Sequence, residues 1–258
     1  MKELIWKTFV YTFLATQLMM LALCSSLVFN FQTLPTVEQL DHPANVSNSI
    51  PISLQKTATK SRESAIGLVT FSISTGEVSI ASGTYFKYND NFFILTAAHA
   101  VQKDGAIMMV VTQEDQYPCG GVVFYSKEAD IAIVESAHIP TRKAIDIEKS
   151  VPPYSKWESS LEVLDPIIYT GYPNGTGPMT IQGKIMGFVE GVVFINMYAW
   201  SGASGSGVFD EKGNIIGIVS ALEVGDFGSV QIPLHNSIIV RPTYLVDWEQ
   251  VFKDYYEK

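Results

Sequence analysis

An all-β fold, barrel or sandwich, is what this sequence predicts, and two observations carry the prediction. From Ala65 to Pro233, short apolar or alternating runs rich in Val, Ile, Phe, Tyr and Thr are broken at regular intervals by turn residues. Near the C-terminus the pattern changes to helical spacing, with Leu245, Trp248, Val251, Phe252 and Tyr255 marking a helix over about 243–255.

The first element is apolar. Thr8 to Phe31 runs 24 residues without a charge, long enough to cross a bilayer as a helix. Lys2 and Lys7 precede it, and Glu38 and Asp41 are the first charges after it, which favours an inside N-terminus with the domain beyond the membrane. A cleaved signal peptide is the rival, with Ala22-Leu23-Cys24 before Ser25 as the cleavage site and secretion as the outcome. The apolar continuation Leu27-Val28-Phe29-Asn30-Phe31 favours an uncleaved transmembrane anchor over residues 1–31. Residues 32–60, rich in Ser, Thr, Asn, Gln and Pro, read as a flexible stalk.

Six strands are expected next: Ala65–Ile73, Val78–Tyr85, Phe92–Thr96, Ile107–Val111, Gly121–Tyr125 and Asp130–Val134. Ser74-Thr75-Gly76-Glu77 and Lys87-Tyr88-Asn89-Asp90-Asn91 fit hairpin turns between them. Residues 135–160, with Pro140, Pro152 and Pro153, read as a crossing between two halves. A second set follows: Asp165–Gly171, Met179–Glu190, Gly191–Met197, Ser206–Phe209, Ile215–Leu222 and Ser229–Pro233. Asp210-Glu211-Lys212-Gly213-Asn214 is the turn that joins the fourth and fifth of these.

The 258 residues fit one domain, or two β-barrel halves sharing an interface, plus terminal segments; 47% apolar residues supply sizeable cores. A net charge of −9 with no basic stripe argues against a nucleic-acid partner. The two cysteines, Cys24 in the apolar segment and Cys119 in the domain, leave no disulfide within the domain. None of His42, His99, His138 and His235 has the close pairing of an H-E-x-x-H zinc site, so neither metal nor cofactor is expected.

Three segments carry chemistry. In Trp200-Ser201-Gly202-Ala203-Ser204-Gly205-Ser206-Gly207-Val208-Phe209, small neighbours let the chain turn tightly and leave the Ser204 hydroxyl open. They also let successive N–H groups converge where an oxyanion could develop. Taken alone, such a string is more often a turn or linker. Phe92-Phe93-Ile94-Leu95-Thr96-Ala97-Ala98-His99 reads as a strand that delivers His99 at its end. In Glu128-Ala129-Asp130-Ile131-Ala132-Ile133-Val134, Asp130 opens an apolar strand, so its carboxylate is drawn inward and needs a partner such as an imidazole N–H. A serine nucleophile, a histidine base and an aspartate that orients the base form a catalytic triad, here in the order His99, Asp130, Ser204. Cys119, in Tyr117-Pro118-Cys119-Gly120-Gly121, is the rival nucleophile and reads better as a turn cysteine.

Leu95-Thr96-Ala97-Ala98-His99, Ala129-Asp130-Ile131-Ala132 and Gly202-Ala203-Ser204-Gly205-Ser206-Gly207 together resemble the three motifs of trypsin-like serine proteases. The chain is most similar to bacterial members: high-temperature-requirement proteases around the aspartate, glutamyl endopeptidases and exfoliative toxins around Ser204. The resemblance covers about residues 60–245. It departs at Ala203, where many members carry Asp or Asn, and at Ser206-Gly207, which replaces Gly-Pro.

The resemblance implies two six-stranded antiparallel barrels of chymotrypsin-like type within 61–258, barrel one about 61–140 and barrel two about 155–245. It implies a serine endopeptidase acting on protein or peptide through an acyl-enzyme, with the Gly202 and Ser204 N–H groups as oxyanion hole. It puts Met197, Tyr198 and Ala199 and the strand Ser220-Ala221-Leu222 around the primary pocket. Tyr198 stands where trypsin-like members place an acidic residue, so a small or medium apolar side chain is the expected substrate preference. The alternative is a catalytically silent protease fold that binds peptide.

Overall fold

Two barrels account for twelve of the strands that the described residues form. The computed structural model describes residues 49–101, 106–189, 191–227 and 230–257, all within the unit Pro43–Lys258. The apolar segment Thr8–Phe31 and the expected stalk before Ser49 lie outside the described residues. Among the described residues no helix is long and apolar enough to cross a membrane.

Barrel one is built from β1 (Ala65–Ser72), β2 (Val78–Tyr88), β3 (Asn91–Ala97), β4 (Ala106–Val111), β5 (Gln116–Ser126) and β6 (Ile131–Ser136). The hydrogen-bonded order is β1-β4-β5-β6-β3-β2, and β2 closes the ring by pairing with β1. Its strands bury aliphatic and aromatic side chains in the first core, among them Ile66, Leu68, Phe86, Phe93, Ile94, Ile131 and Ile133. Asn89 takes φ 51° in the turn that joins β2 to β3, a left-handed conformation that asparagine tolerates. Cys119 lies inside β5, at a register shift against β6, rather than in a turn.

The crossing carries more structure than its prolines predict. β7 (Ile145–Asp146) pairs in parallel with β2, and two short helices follow, α2 (Ile147–Ser150) and α3 (Tyr154–Ser160). Trp157 of α3 is buried in the second core, its indole N–H donating to the Ile216 carbonyl at 2.7 Å.

Barrel two is built from β8 (Pro166–Gly171), β9 (Met179–Val189), β10 (Val192–Asn196), β11 (Gly207–Asp210), β12 (Ile215–Phe227) and β13 (Val230–Pro242). It closes in the order β10-β13-β12-β11-β8-β9 around Tyr169, Ile185, Val193, Ile195, Val208 and Val240. β12 and β13 run well past the expected Leu222 and Pro233 boundaries. The C-terminal helix α4 spans Trp248–Tyr256, capped by Asp247, which accepts from the Gln250 N–H. It buries Phe252 in the first core, stacked on Tyr88 at 3.9 Å between ring centroids.

Residues 52–60, expected as stalk, are instead helical. The helix α1 (Ile52–Ser64) buries Leu54, Thr57, Ala58, Ser61 and Ser64. That face is mostly small and polar, so it leaves no apolar stripe in the sequence. It is held by hydrogen bonds: Ser61 Oγ to Thr170 Oγ1 at 2.9 Å, Thr57 Oγ1 to the Glu211 carbonyl at 3.1 Å, and Lys60 Nζ to the Gly213 carbonyl at 2.6 Å. Lys60 Nζ also donates to Ser150 Oγ at 3.0 Å, so one side chain ties the crossing to barrel two.

Candidate active site

Strand pairing alone brings His99 and Asp130 together. β3 and β6 are antiparallel with Ala97 opposite Ile131, so the residues just beyond that pair lie at one end of barrel one. His99 sits there in a short 3₁₀ turn (Ala98–Ala100), and Asp130 closes the turn before β6 with φ 52°. Aspartate is one of the few side chains that visits this left-handed region readily. The Asp130 carbonyl accepts the Ala98 N–H at 3.1 Å, and Asp130 Oδ1 accepts the His99 N–H at 3.0 Å.

The side chains then meet directly. His99 Nδ1 lies 3.0 Å from Asp130 Oδ1 and 2.9 Å from Oδ2. The bond to Asp130 raises the imidazole pKa above its ordinary 6.5, against the opposing effect of partial burial. Burial pushes the Asp130 carboxyl up, but bonds from the His99 ring, the Ser220 hydroxyl and the His99 N–H outweigh it and hold the group below 3.8. With Nδ1 facing the carboxylate, Nε2 is the ring nitrogen left for other chemistry.

Ser204 comes from barrel two and is locked to barrel one through its backbone. Its carbonyl accepts the Ser82 N–H of β2 at 2.8 Å, and Ser82 Oγ donates to the Gly202 carbonyl at 2.6 Å. Gly205 takes φ 88°, and a Cβ there would stand 2.2 Å from both the Ser82 carbonyl oxygen and Thr96 Oγ1. Only glycine lets the two barrels approach so closely beside the serine. Ser82, Thr84 and Thr96 are absent from the sequence-derived site. The one signal they give is a short polar side chain at a buried position of an otherwise apolar strand.

The turn around Ser204 leaves two donors open. Ala203 N donates to the Trp200 carbonyl, Gly205 N to Val219 and Ser206 N to Ala203, at 2.7–3.1 Å. Among the described residues the N–H groups of Gly202 and Ser204 have no such acceptor, and these are the two that the sequence assigns to an oxyanion hole. The Ser201 carbonyl is held out of the way by the Asn174 N–H at 2.6 Å. Ser204 Oγ donates to the Ser220 carbonyl at 3.4 Å, so its hydroxyl points at β12 and not at His99.

The pocket residues fall in different places. The Ser220 hydroxyl donates to Asp130 Oδ2, which turns its side chain to the carboxylate and not to a substrate pocket. Ala199 is buried in the core of barrel two, with Leu222 packed at its edge, while Ala221 is exposed. Tyr198 is exposed, its ring stacked on Trp200 at 6.0 Å and its carbonyl held by the Tyr169 hydroxyl. Cys119 stands apart: burial pushes its thiol up to about 12, so it stays protonated and unreactive. The His138 ring packs against Phe92. His42 and the His235 side chain lie outside the described residues. Among the described residues no three metal-ligating side chains come together.

Comparison with known proteins identifies the family and the fold. The family model described as a trypsin-like peptidase domain matches residues 81–218, just over half the chain and all three motifs. No curated protein matches the sequence. The structure is similar to the HtrA-type protease AlgW solved with a tripeptide, at 18% identity and a TM-score of 0.58 over 76% of this chain and 61% of that one. It is similar to the Rv3671c protease from M. tuberculosis in its active form, at 17% identity and 0.57 over 77% and 87%. The serine endoprotease from Yersinia pestis matches at 18% identity and 0.59 over 80% and 69%. At these identities the likeness is one of fold.

Proposed function

The chain belongs to the trypsin-like peptidase family, and from that premise we propose that it is a serine endopeptidase with Ser204 as nucleophile, His99 as base and Asp130 as the orienting carboxylate. The observation that carries this reading is the His99–Asp130 contact at 2.9 Å, made beside a serine turn with two unengaged N–H groups.

The reaction begins with a rotation of Ser204 about χ1, from the Ser220 carbonyl toward His99 Nε2. Staggered rotamers of an unencumbered serine interconvert readily, and catalytic bonds in a substrate-free site are commonly loose. His99 takes the hydroxyl proton as Oγ attacks the scissile carbonyl, and Asp130 stabilises the imidazolium that forms. The Gly202 and Ser204 N–H groups receive the oxyanion, each worth about 3–4 kcal/mol in the transition state. The imidazolium then protonates the leaving amine, and water, deprotonated by His99, releases the acid from Ser204. No metal or organic cofactor takes part in this scheme.

Substrate is protein or peptide. The Tyr198–Trp200 pair lies on the surface four to six residues before the nucleophile, and with Tyr198 standing where trypsin-like members place an acidic residue, the preferred substrate side chain is small or medium and apolar. Thr8–Phe31 supports a membrane anchor that holds the protease outside the cytoplasm. Hydrolysis of a peptide library by the purified protein, and its loss in Ser204→Ala, tests the catalytic reading. A wild type that is folded and binds peptides but cleaves none supports the silent peptide-binding fold instead.

A further inference from the structure

Turns that join elements at a protein surface are normally polar, and the turn Glu162-Val163-Leu164-Asp165 before β8 is not. Asp165 Oδ2 accepts the Glu162 N–H at 2.7 Å, and the Glu162 carbonyl accepts the Asp165 N–H at 3.1 Å. These bonds clamp the turn and leave Val163 and Leu164 exposed at its tip, by 53% and 65%. Leu164 also takes φ 75°; the other non-glycine residues with positive φ among those described are Asn89, Asp130 and Asn174. Short polar side chains tolerate that backbone, and leucine is strained in it. A bulky apolar residue that is both strained and exposed adds nothing to the core. Strain of this kind collects where a segment binds something.

The apolar surface continues from that tip. The Leu164 N–H donates to the Ile185 carbonyl, which sets the turn beside Met186, and Met186, Phe188 and Val189 of β9 are 39–54% exposed. Next to Phe188 a cleft of about 360 Å³ opens among Tyr154, Trp157, Leu161 and Tyr244, with Tyr154 itself half exposed. Aromatic rings with polar tips at the edge of an apolar patch suit the boundary between water and lipid. Glu158, Glu162 and Asp165 stand against Lys156 and Lys184 around this face, so no excess of positive charge draws it to anionic groups.

The chain enters the domain at this same end. Ile50 and Leu54 pack with Ile168 in the first half of β8, while Ser61 bonds Thr170 farther along it. Ser53 Oγ donates to Glu211, and Glu211 shares a cleft with Glu162 and Asp165. The seventeen residues 32–48 separate Ser49 from the end of the apolar run Thr8–Phe31. Even fully extended they reach no more than about 60 Å. A domain tethered so closely to a bilayer meets it often, and weak apolar contacts then suffice to hold it there.

We propose that the Val163–Leu164 tip and the Met186–Val189 segment dock on the lipid surface of the membrane that Thr8–Phe31 enters. The inference rests on that segment being an uncleaved anchor. The serine turn lies at the other end of β8, where a Cβ on Gly171 would stand 2.2 Å from Ser206 Oγ. Six residues of strand put roughly 20 Å between the two ends. A docked domain therefore presents Ser204 to polypeptide that stands clear of the bilayer. A second copy of this chain fits less well. The exposed parts of Tyr154, Val163, Leu164, Met186, Phe188 and Val189 offer on the order of a few hundred Å², short of the roughly 800 Å² that each partner of a stable dimer buries.

The test reconstitutes the full chain in phosphatidylcholine vesicles that carry a diazirine near the top of one acyl chain, and maps lipid adducts by peptide mass spectrometry. We expect adducts on Val163–Leu164 and Phe188–Val189, about tenfold above those on Val78 and Ile80, which are similarly exposed on barrel one. Salt at about 0.5 M should leave them in place, because the contact is apolar. In a variant combining Val163→Ser and Leu164→Gly we expect adducts on Phe188–Val189 to fall about fivefold while those on Thr8–Phe31 persist. Its urea midpoint should be unchanged or higher, since glycine relieves the strained φ. A lower midpoint gives Leu164 a folding role and overturns the reading. Adducts confined to Thr8–Phe31, spread evenly over both exposed patches, or lost in salt overturn it too. So does a wild-type oligomer in sedimentation that the double variant dissociates. If the intact mass places the N-terminus at Ser25, it is the anchor reading that fails. Flotation of that released form with the same vesicles then decides the docking: adducts on Val163–Leu164 uphold it, and their absence overturns it.

Discussion

Ser220 donates its hydroxyl to Asp130 Oδ2, the same oxygen that lies 2.9 Å from His99 Nδ1. Its carbonyl accepts the Ser204 hydroxyl, so Ser220 touches both the carboxylate and the nucleophile. A hydrogen bond to a buried carboxylate stabilises the charged form. In Ser220→Ala we expect Asp130 to titrate at a higher pH, followed by carboxyl NMR, and kcat to fall about fivefold for the loss of one hydrogen bond. Ser220→Thr, which keeps the hydroxyl, should restore both.

The Asp130 contact raises the His99 pKa above 6.5. A base must be neutral to accept a proton, so kcat/KM should rise with pH through a midpoint above 6.5. Asp130→Asn removes the cause of the shift. Its acid limb should move to lower pH, and kcat should drop about 10⁴-fold as the tautomer is lost. A wild-type limb at or below 6.5, or one that Asp130→Asn leaves in place, contradicts this account of His99.

Gly205 holds the closest approach between the barrels. In Gly205→Ala the new Cβ meets the Ser82 carbonyl and Thr96 Oγ1 at 2.2 Å, in a backbone with φ 88°. Both effects destabilise, and urea unfolding should record a loss of about 3 kcal/mol or more.

Lys60 joins α1 to Gly213 of barrel two and to Ser150 in the crossing. Burial lowers its pKa, although Asp210 and Asp146 oppose the shift. Lys60→Met keeps the aliphatic stem and removes the bonds. We expect unfolding to become easier by about 1–2 kcal/mol, read from the urea midpoint, with no change in the pH profile of activity.

Much of the architecture is legible in residue patterns. Strand positions followed from β-branched and aromatic runs because each strand has a core-facing side to fill. His99 and Asp130 were legible for a related reason: each ends or opens an apolar strand, where a polar side chain requires a partner. α1 was not, since its buried face is Leu54, Thr57, Ala58 and Ser61, and polar bonds in place of apolar area hold it down. The second role of Ser220 was equally hidden. It depends on β12 of one barrel passing the Asp130 turn of the other, a contact between residues 90 positions apart. The stacking of Tyr198 on Trp200 likewise depends on a loop conformation that residue patterns do not fix.

The central claim is that Ser204 is a nucleophile activated by His99, and covalent capture tests it most directly. Wild-type protein treated with a fluorophosphonate should gain one adduct, mapped by peptide mass spectrometry to Ser204. The adduct should be lost in Ser204→Ala and nearly lost in His99→Ala. A folded wild type that takes up no label, or one labelled at Ser201 or Ser206 while Ser204 stays free, would contradict it.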